Sequence, residues 1–227
     1  MKVLLLFVLA YCSRLHAQDS TIIIKAGTSF NESVSITDLC EYPQFVYGKV
    51  FFKTGDSSIA KFNYHRFLDE MQFIDFKGDT LKITNAPTIK LIRIDNDVFY
   101  YDDGYVKLIK DANGIKLAVK KTLTVTGKNK VGGYDMASPT TSIDTYSTLM
   151  ANNSIYKLVP KEDITLTKKT QYFFGDKYNR FFWATKKNLL RQFSKQSTAL
   201  NSYLKENNVN FNSREDLEKL LQFLASL

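Results

Sequence analysis

In "IKLAVKKTLTV", residues 115–125, Ile115, Leu117, Val119, Leu123 and Val125 fall on one parity, and Lys116, Lys120, Thr122 and Thr124 on the other. Successive side chains of a strand point to opposite faces, so this alternation predicts one buried and one wet face, the habit of an antiparallel sheet. Strand-like text extends from Phe45 to Val125 and is cut by turn chemistry: "TGDSS" at 54–58, "KGDT" at 77–80, "DNDV" at 95–98, "DDG" at 102–104 and "ANG" at 112–114. This punctuation predicts a meander of about seven or eight short strands. Pro87 is expected at the beginning of its strand, where a missing N–H is tolerated.

The pattern stops at Gly127. Residues 127–154 are rich in Gly, Ser, Thr and Asn and lack periodicity, so a long loop is expected there. Strand signals return in "IYKLV" (155–159) and in "TLTKKTQYFF", and should rejoin the same sheet, since isolated strand pairs are marginal. Beyond Thr185 the period changes. Leu189, Leu190, Phe193, Leu200, Tyr203 and Leu204 keep helical spacing with a break near 194–197, and Leu217, Leu220, Leu221, Leu224 and Leu227 form a second stripe behind Ser213 as N-cap. The expected class is α+β: a mostly antiparallel sheet, roll or sandwich over residues 18–184, and a C-terminal pair of amphipathic helices over 185–227, packed on or beside it.

The first residues, "MKVLLLFVLAYCSRLHA", set Lys2 before an apolar run of about nine residues, too short to span a bilayer, and a polar end. Residues 1–17 are read as a cleaved export signal, which places the chain in the periplasm, at the outer membrane or outside the cell. The alternative is lipid anchoring at Cys12; Tyr11 counts against it, because a small residue normally precedes a lipidated cysteine. No later segment is apolar for the length of a transmembrane helix. Without the leader, Cys40 and His65 are the one cysteine and the one histidine, which excludes an intramolecular disulfide and a His/Cys zinc site. The core alone must then hold the fold, and 44% hydrophobic residues are ample for that.

The succession "YPQFVYGKVFFKTGD", "FNYHRFLDEMQFIDFKGDTLKI", "FYYDDGY", "SPTTSIDTYS", "YFFGDKYNRF" and "YLKENNVNFNSREDLEKLLQFL" resembles a family of exported proteins of Gram-negative bacteria without an assigned activity. The resemblance covers nearly the whole mature chain. It implies that sheet and C-terminal helices fold as one unit, and it brings no cofactor and no catalytic residues.

Candidate chemistry is sparse. His65 shares parity with Lys61 and Asn63, which predicts a solvated position on the polar side of its strand. Cys40 lies between Asp38 and Glu41, which would raise its pKa and make it a structural thiol. Asp95, Asp97, Asp102 and Asp103 sit where hairpin turns favour Asp for conformational reasons, and their spacing matches no calcium loop. There is no G-x-S-x-G, no H-E-x-x-H and no Gly-rich phosphate loop.

Charge is concentrated late in the chain: residues 157–227 hold 13 Lys+Arg against 7 Asp+Glu, whereas residues 18–156 balance at 16 and 16. Within "YNRFFWATKKNLLRQF", Arg180, Lys186, Lys187 and Arg191 are the candidate binding residues. Phe181, Phe182 and Trp183 are expected as an apolar seam between sheet and helices. If Thr185 caps the helix, Lys186 and Lys187 sit in its first turn, where the macrodipole disfavours cations by roughly 0.3–1 kcal/mol each. The expected function is a non-enzymatic binding module of the bacterial envelope, facing an anionic envelope component or another envelope protein, with no cofactor and no metal. Export argues against nucleic acid. The alternative is a hydrolase of carbohydrate or ester substrates that uses carboxylates scattered in sequence.

Overall fold

A computed structural model describes residues 20–131, 137–139 and 159–227. The leader, Cys12, most of the 127–154 segment and all but Val159 of the strand expected at 155–159 lie outside the described residues. The alternation at 115–125 does form a strand, β9, Ile115–Val131. The others are β1 Thr21–Ile24, β2 Val46–Phe52, β3 Ser57–His65, β4 Glu70–Ile74, β5 Thr80–Lys82, β6 Ile89–Ile94, β7 Asp97–Tyr101, β8 Tyr105–Ala112, β10 Ala137–Pro139, β11 Asp163–Gly175 and β12 Phe181–Trp183. All belong to one sheet in the order β1-β11-β9-β8-β7-β6-β2-β3-β4-β5, with β10 on β9 and β12 on β11. With the helices named below, the class is α+β, as expected.

The five turn signals fall between strands. Gly55, Gly78, Asp95, Asp103 and Asn113 adopt positive φ at those turns, a conformation that Gly, Asn and Asp take most readily. The simple meander fails at one place. β6 pairs with β2 (Val50↔Ile92), so β2 lies between β3 and β6 rather than at an edge. Pro87 sits in a 3-10 turn, Ala86–Thr88, that ends where β6 begins. Gly127 is also not the start of a loop: β9 runs on to Val131, and Gly127 pairs with Thr165. Ladder hydrogen bonds to β11 outweigh the weak local pattern there. β1, which no alternation announces, covers one half of the β11 edge (Ile24↔Ile164), and β12 covers the other (Phe173↔Trp183).

The sheet coils on itself. The Tyr64 ring lies 6.2 Å from the rings of Phe99 and Tyr105, although three and four strand spacings, about 14 and 19 Å along a flat sheet, separate β3 from β7 and β8. The Leu123 N–H donates to the Arg66 carbonyl at 3.2 Å, five strand positions away. The inner face of the roll carries Val50, Phe62, Tyr64, Met71, Ile92, Ile94, Phe99 and Tyr105 as one core. A neighbouring cluster gathers Ile24, Phe30, Val34 and Leu39 of the N-terminal segment, which holds the short helices α1 Phe30–Ser33 and α2 Ile36–Leu39, against Leu123, Ile164 and Leu166.

At the far end of β9 the same face receives the C-terminal helices α3 Lys186–Gln192, α4 Ser197–Glu206 and α5 Arg214–Ser226. Thr185 accepts from the Asn188 N–H and Ser213 from the Asp216 N–H, so both expected caps are present. The expected break is a 3-10 turn, Ser194–Gln196. Leu189, Leu200, Leu204, Leu217, Leu220, Leu221 and Leu224 bury against Leu117 and Phe174. At about 1.5–3 kcal/mol per fully buried leucine, that is on the order of 10–20 kcal/mol of gross burial, enough to fasten the helices to the sheet.

The aromatic seam is narrower than its sequence suggests. Phe182 joins this helical core. Phe181 faces the opposite side, 5.6 Å from the Tyr100 ring, and lies so close over Gly175 that a Cβ there would be 2.6 Å from it. Trp183 is half exposed, at 50%, beside Phe173. Nor is the second face of β9 wet where it was expected to be. Lys116 and Ala118 are buried as well as Leu117 and Val119, because Phe173, Phe181, Tyr100 and Val106 form a fourth cluster on the reverse side. Among the described residues no helix is long and apolar enough to cross a membrane.

Candidate binding groove

Where β2, β3 and β4 meet the returning segment 83–88, the roll stays open as a groove of ≈ 540 Å³. Val50, Phe52, Ala60, Phe62 and Phe73 form its floor and Ile83 part of its wall. Register explains the space. The cross-strand pairs on the inner face are Val50↔Ser58, Gly48↔Ala60 and Val46↔Phe62, so two of the three pairs hold a small residue on β3 and the bulk of Phe62 stands at one end. Gly48 has no room to be larger: a Cβ there would lie 2.6 Å from the Arg93 carbonyl oxygen and 3.0 Å from the Phe62 ring. Asp75 and Lys82 are the only ionisable residues in the lining, and Lys82 is paired with Glu70 at 3.2 Å. Phe76, 93% exposed, and Ile59, 69% exposed, also contribute to the lining.

A second cavity, of ≈ 10 Å³, is lined by Glu41, Tyr64, Phe99, Tyr105, Lys107, Val119, Lys120 and Lys121; it has room for about one water molecule. Lys107 Nζ lies 2.5 Å from Glu41 Oε1 and 3.1 Å from Asp97 Oδ2. Arg66 donates to Glu41 Oε2 at 2.7 Å. Tyr42 OH donates to Asp97, and Tyr64 OH to Asp69, which Lys120 also meets. Burial acts to raise the Glu41 carboxyl, but hydrogen bonds from Lys107 and Arg66 and their charges bring it below its ordinary value. Asp38, Asp163 and Asp176 are lowered too, so none of these four carboxyls is poised as a general acid near neutral pH. Neither cavity is lined by a pair of carboxylates.

The residues singled out from sequence are placed as follows. Lys186, Lys187 and Arg191 are exposed on α3, whose first turn has no acid. Arg180 is not on that helix; it lies between β11 and β12, with Nε 2.7 Å from Asp176 Oδ2, so its charge is locally balanced. Asp97 and Asp102 serve the fold: Asp97 through Tyr42 and Lys107, Asp102 by accepting the Phe181 N–H at 2.6 Å. Among the described residues no group of three or more His, Cys, Asp or Glu is arranged to hold a metal ion.

Two expectations need correction. His65 is not solvated but fully buried. Cys40 forms a bridge pairing with it, and the Leu68 N–H donates to its Nδ1 at 3.2 Å. Burial pulls the imidazole pKa down to about 4. Cys40 is the buried thiol expected, with its pKa raised to about 11, but the cause is burial rather than the neighbouring acids, and Arg66 acts in the opposite direction. The groove itself was not foreseen from sequence, because it depends on which strands curl over which. Comparison of the chain with protein-family models, with curated proteins and with solved structures finds no match.

Proposed function

We propose that the chain is an exported, non-enzymatic binding module of the bacterial envelope that holds a small, largely uncharged apolar molecule in the groove between β2–β4 and segment 83–88. The groove carries this reading: ≈ 540 Å³ lined mostly by aromatic and aliphatic side chains, with Ser58, Thr84, Asn85 and Thr88 among them, falls within the roughly 300–1,000 Å³ of small-molecule sites. The leader pattern supports export, and the engagement of the inner carboxylates in ion pairs lends nothing to the hydrolase alternative. The test is titration of the mature chain with the neutral apolar fluorophore N-phenyl-1-naphthylamine. Saturable enhancement is expected, and Ala60→Phe, which fills the groove, should weaken it at least tenfold with the far-UV spectrum unchanged. Equal binding by the variant would remove the groove as the site.

A second contact, for an anionic envelope component, would use Lys186, Lys187 and Arg191. Its support is the pair of lysines in a first helical turn that disfavours them by about 0.3–1 kcal/mol each, with no acid beside them. Joint reversal of the three charges should abolish salt-sensitive binding to vesicles rich in phosphatidylglycerol; if binding persists at the same strength, these side chains are a solvated face.

A further inference from the structure

The reverse side of the groove-forming strands carries a different chemistry. Tyr47, Lys49 and Phe51 point outward from β2, alternating with the inward Val46, Gly48 and Val50; Ile59 and Lys61 do so from β3 and Arg93 from β6. Register brings them together. Lys49 stands opposite Arg93 on one side and Ile59 on the other, and Tyr47 stands opposite Lys61. Like charges directly opposite in a sheet are destabilising, and no outward residue of β2, of β6, or of β3 from Ser57 to Lys61 is acidic. None of the three cations has an ion pair among the described residues. The two lysines contact rings instead: Lys61 Nζ lies 5.1 Å from the Tyr47 ring centre and Lys49 Nζ 5.2 Å from that of Phe51. Tyr47 is 70% exposed.

An uncompensated cation row beside an open aromatic face breaks a local rule of sheet design without a gain inside the fold. We infer that this face binds a linear polyanionic glycan, whose acidic groups meet Lys49, Lys61 and Arg93 and whose sugar rings lie against Tyr47. The cations are stepped across three adjacent strands at about 4.8 Å per strand, a row rather than a patch, which suits a chain of regularly spaced charges better than a bilayer surface. The export reading sets nucleic acid aside. None of the four proposed contacts, Tyr47, Lys49, Lys61 and Arg93, lines the groove or lies on α3, so the site stands or falls without them.

Calorimetric titration of the mature chain with polygalacturonate at low salt, with neutral dextran in parallel, decides the matter. Binding to polygalacturonate alone is expected, falling with added salt and weakened at least tenfold by joint Lys49→Glu, Lys61→Glu and Arg93→Glu. Tyr47→Ala should weaken it severalfold. Joint Lys110→Glu, Lys205→Glu and Lys219→Glu, the same change in net charge at other exposed lysines, should leave it within twofold. If the reversed strand face does not fold, the Gln set at the same three positions replaces it. The inference is overturned if the strand variants bind like the wild type, if both charge sets weaken binding equally, or if phosphatidylglycerol vesicles or a single-stranded oligonucleotide bind more tightly through the same residues.

Discussion

Stability should fall between pH 7 and pH 5 because of one side chain, His65. Its ring is fully buried and its pKa in the folded chain is about 4, lowered from 6.5 by burial. As pH falls through 6.5 the unfolded chain takes up a proton that the folded chain refuses until about pH 4. The unfolded state binds more protons throughout that window, so stability rises with pH inside it and gains nothing further above it. Two half-integral steps give the size: about 2 kcal/mol lost from pH 7 to pH 5, and about 3 kcal/mol by pH 4, at 1.36 kcal/mol per unit of separation. The carboxyls that are shifted, Asp38, Glu41, Asp163 and Asp176, are all shifted downward. Their own losses therefore set in only as pH falls into the ordinary carboxylate range of about 4–4.5, at the lower edge of this window, and pH 7 to 5 isolates His65.

The assay is urea unfolding of the mature chain followed by Trp183 fluorescence at pH 7, 6 and 5. For a chain of this length a loss of about 2 kcal/mol also appears as a fall of about 4–8 °C in Tm. His65→Gln keeps an acceptor for the Leu68 N–H and removes the titration, so it should be less stable at pH 7 yet nearly flat from pH 7 to pH 5. A solvated histidine, the position its parity suggests, would titrate alike in both states and give no slope. A flat wild-type profile, or an undiminished slope in the Gln variant, would refute the burial account.

Three further outcomes follow from the packing. Gly48→Ala places a Cβ 2.6 Å from a backbone oxygen that has no freedom to retreat, and should cost about 1–3 kcal/mol in chemical unfolding. Glu41→Ala strips Arg66 and Lys107 of their shared carboxylate, whose side chain is 8% exposed; about 3 kcal/mol should be lost, with a smaller loss in Glu41→Ala/Lys107→Met than the single changes sum to. Leu220→Ala, fully buried between α5 and the sheet, should cost about 2–5 kcal/mol, and its unfolding followed at Trp183 and by far-UV circular dichroism should coincide; separate midpoints would show helices that unfold apart from the sheet.

What the sequence made legible was local. Alternation and turn residues mark eight strands from β2 to β9, and the helical stripes and both caps stand where their spacing puts them. What it hid depends on partners far along the chain. His65 reads as wet because its parity companions Lys61 and Asn63 are polar, yet Asn63 is itself buried, exchanging hydrogen bonds with the backbone of Tyr42. The segment around Cys40 covers this end of β3, and no period within β3 can announce a cover that arrives from another part of the chain. Lys116 is similar: its ammonium reaches the Asp176 carbonyl at 3.3 Å from a buried position, so its charge says little about the face it occupies.

The candidate sites divide along the same line. Lys186, Lys187 and Arg191 lie close in sequence and on one helix, so a charge count finds them. The groove owes its space to the small residues Ser58 and Ala60, which read as weak strand text until the cross-strand register sets them on the inner face. The cation row depends still more on topology. In a plain meander β6 would lie beside β5, and Arg93 would stand four strand positions from Lys49 instead of opposite it. The return of β6 to pair with β2 therefore produces two things at once: it presses the β6 backbone against Gly48, whose partner Ala60 lies in the groove floor, and it sets Arg93 against Lys49 on the reverse face. A chain that broke the β2–β6 pairing, by proline at Val50 for example, should lose both properties together, whereas charge reversal at Arg93 should spare the groove.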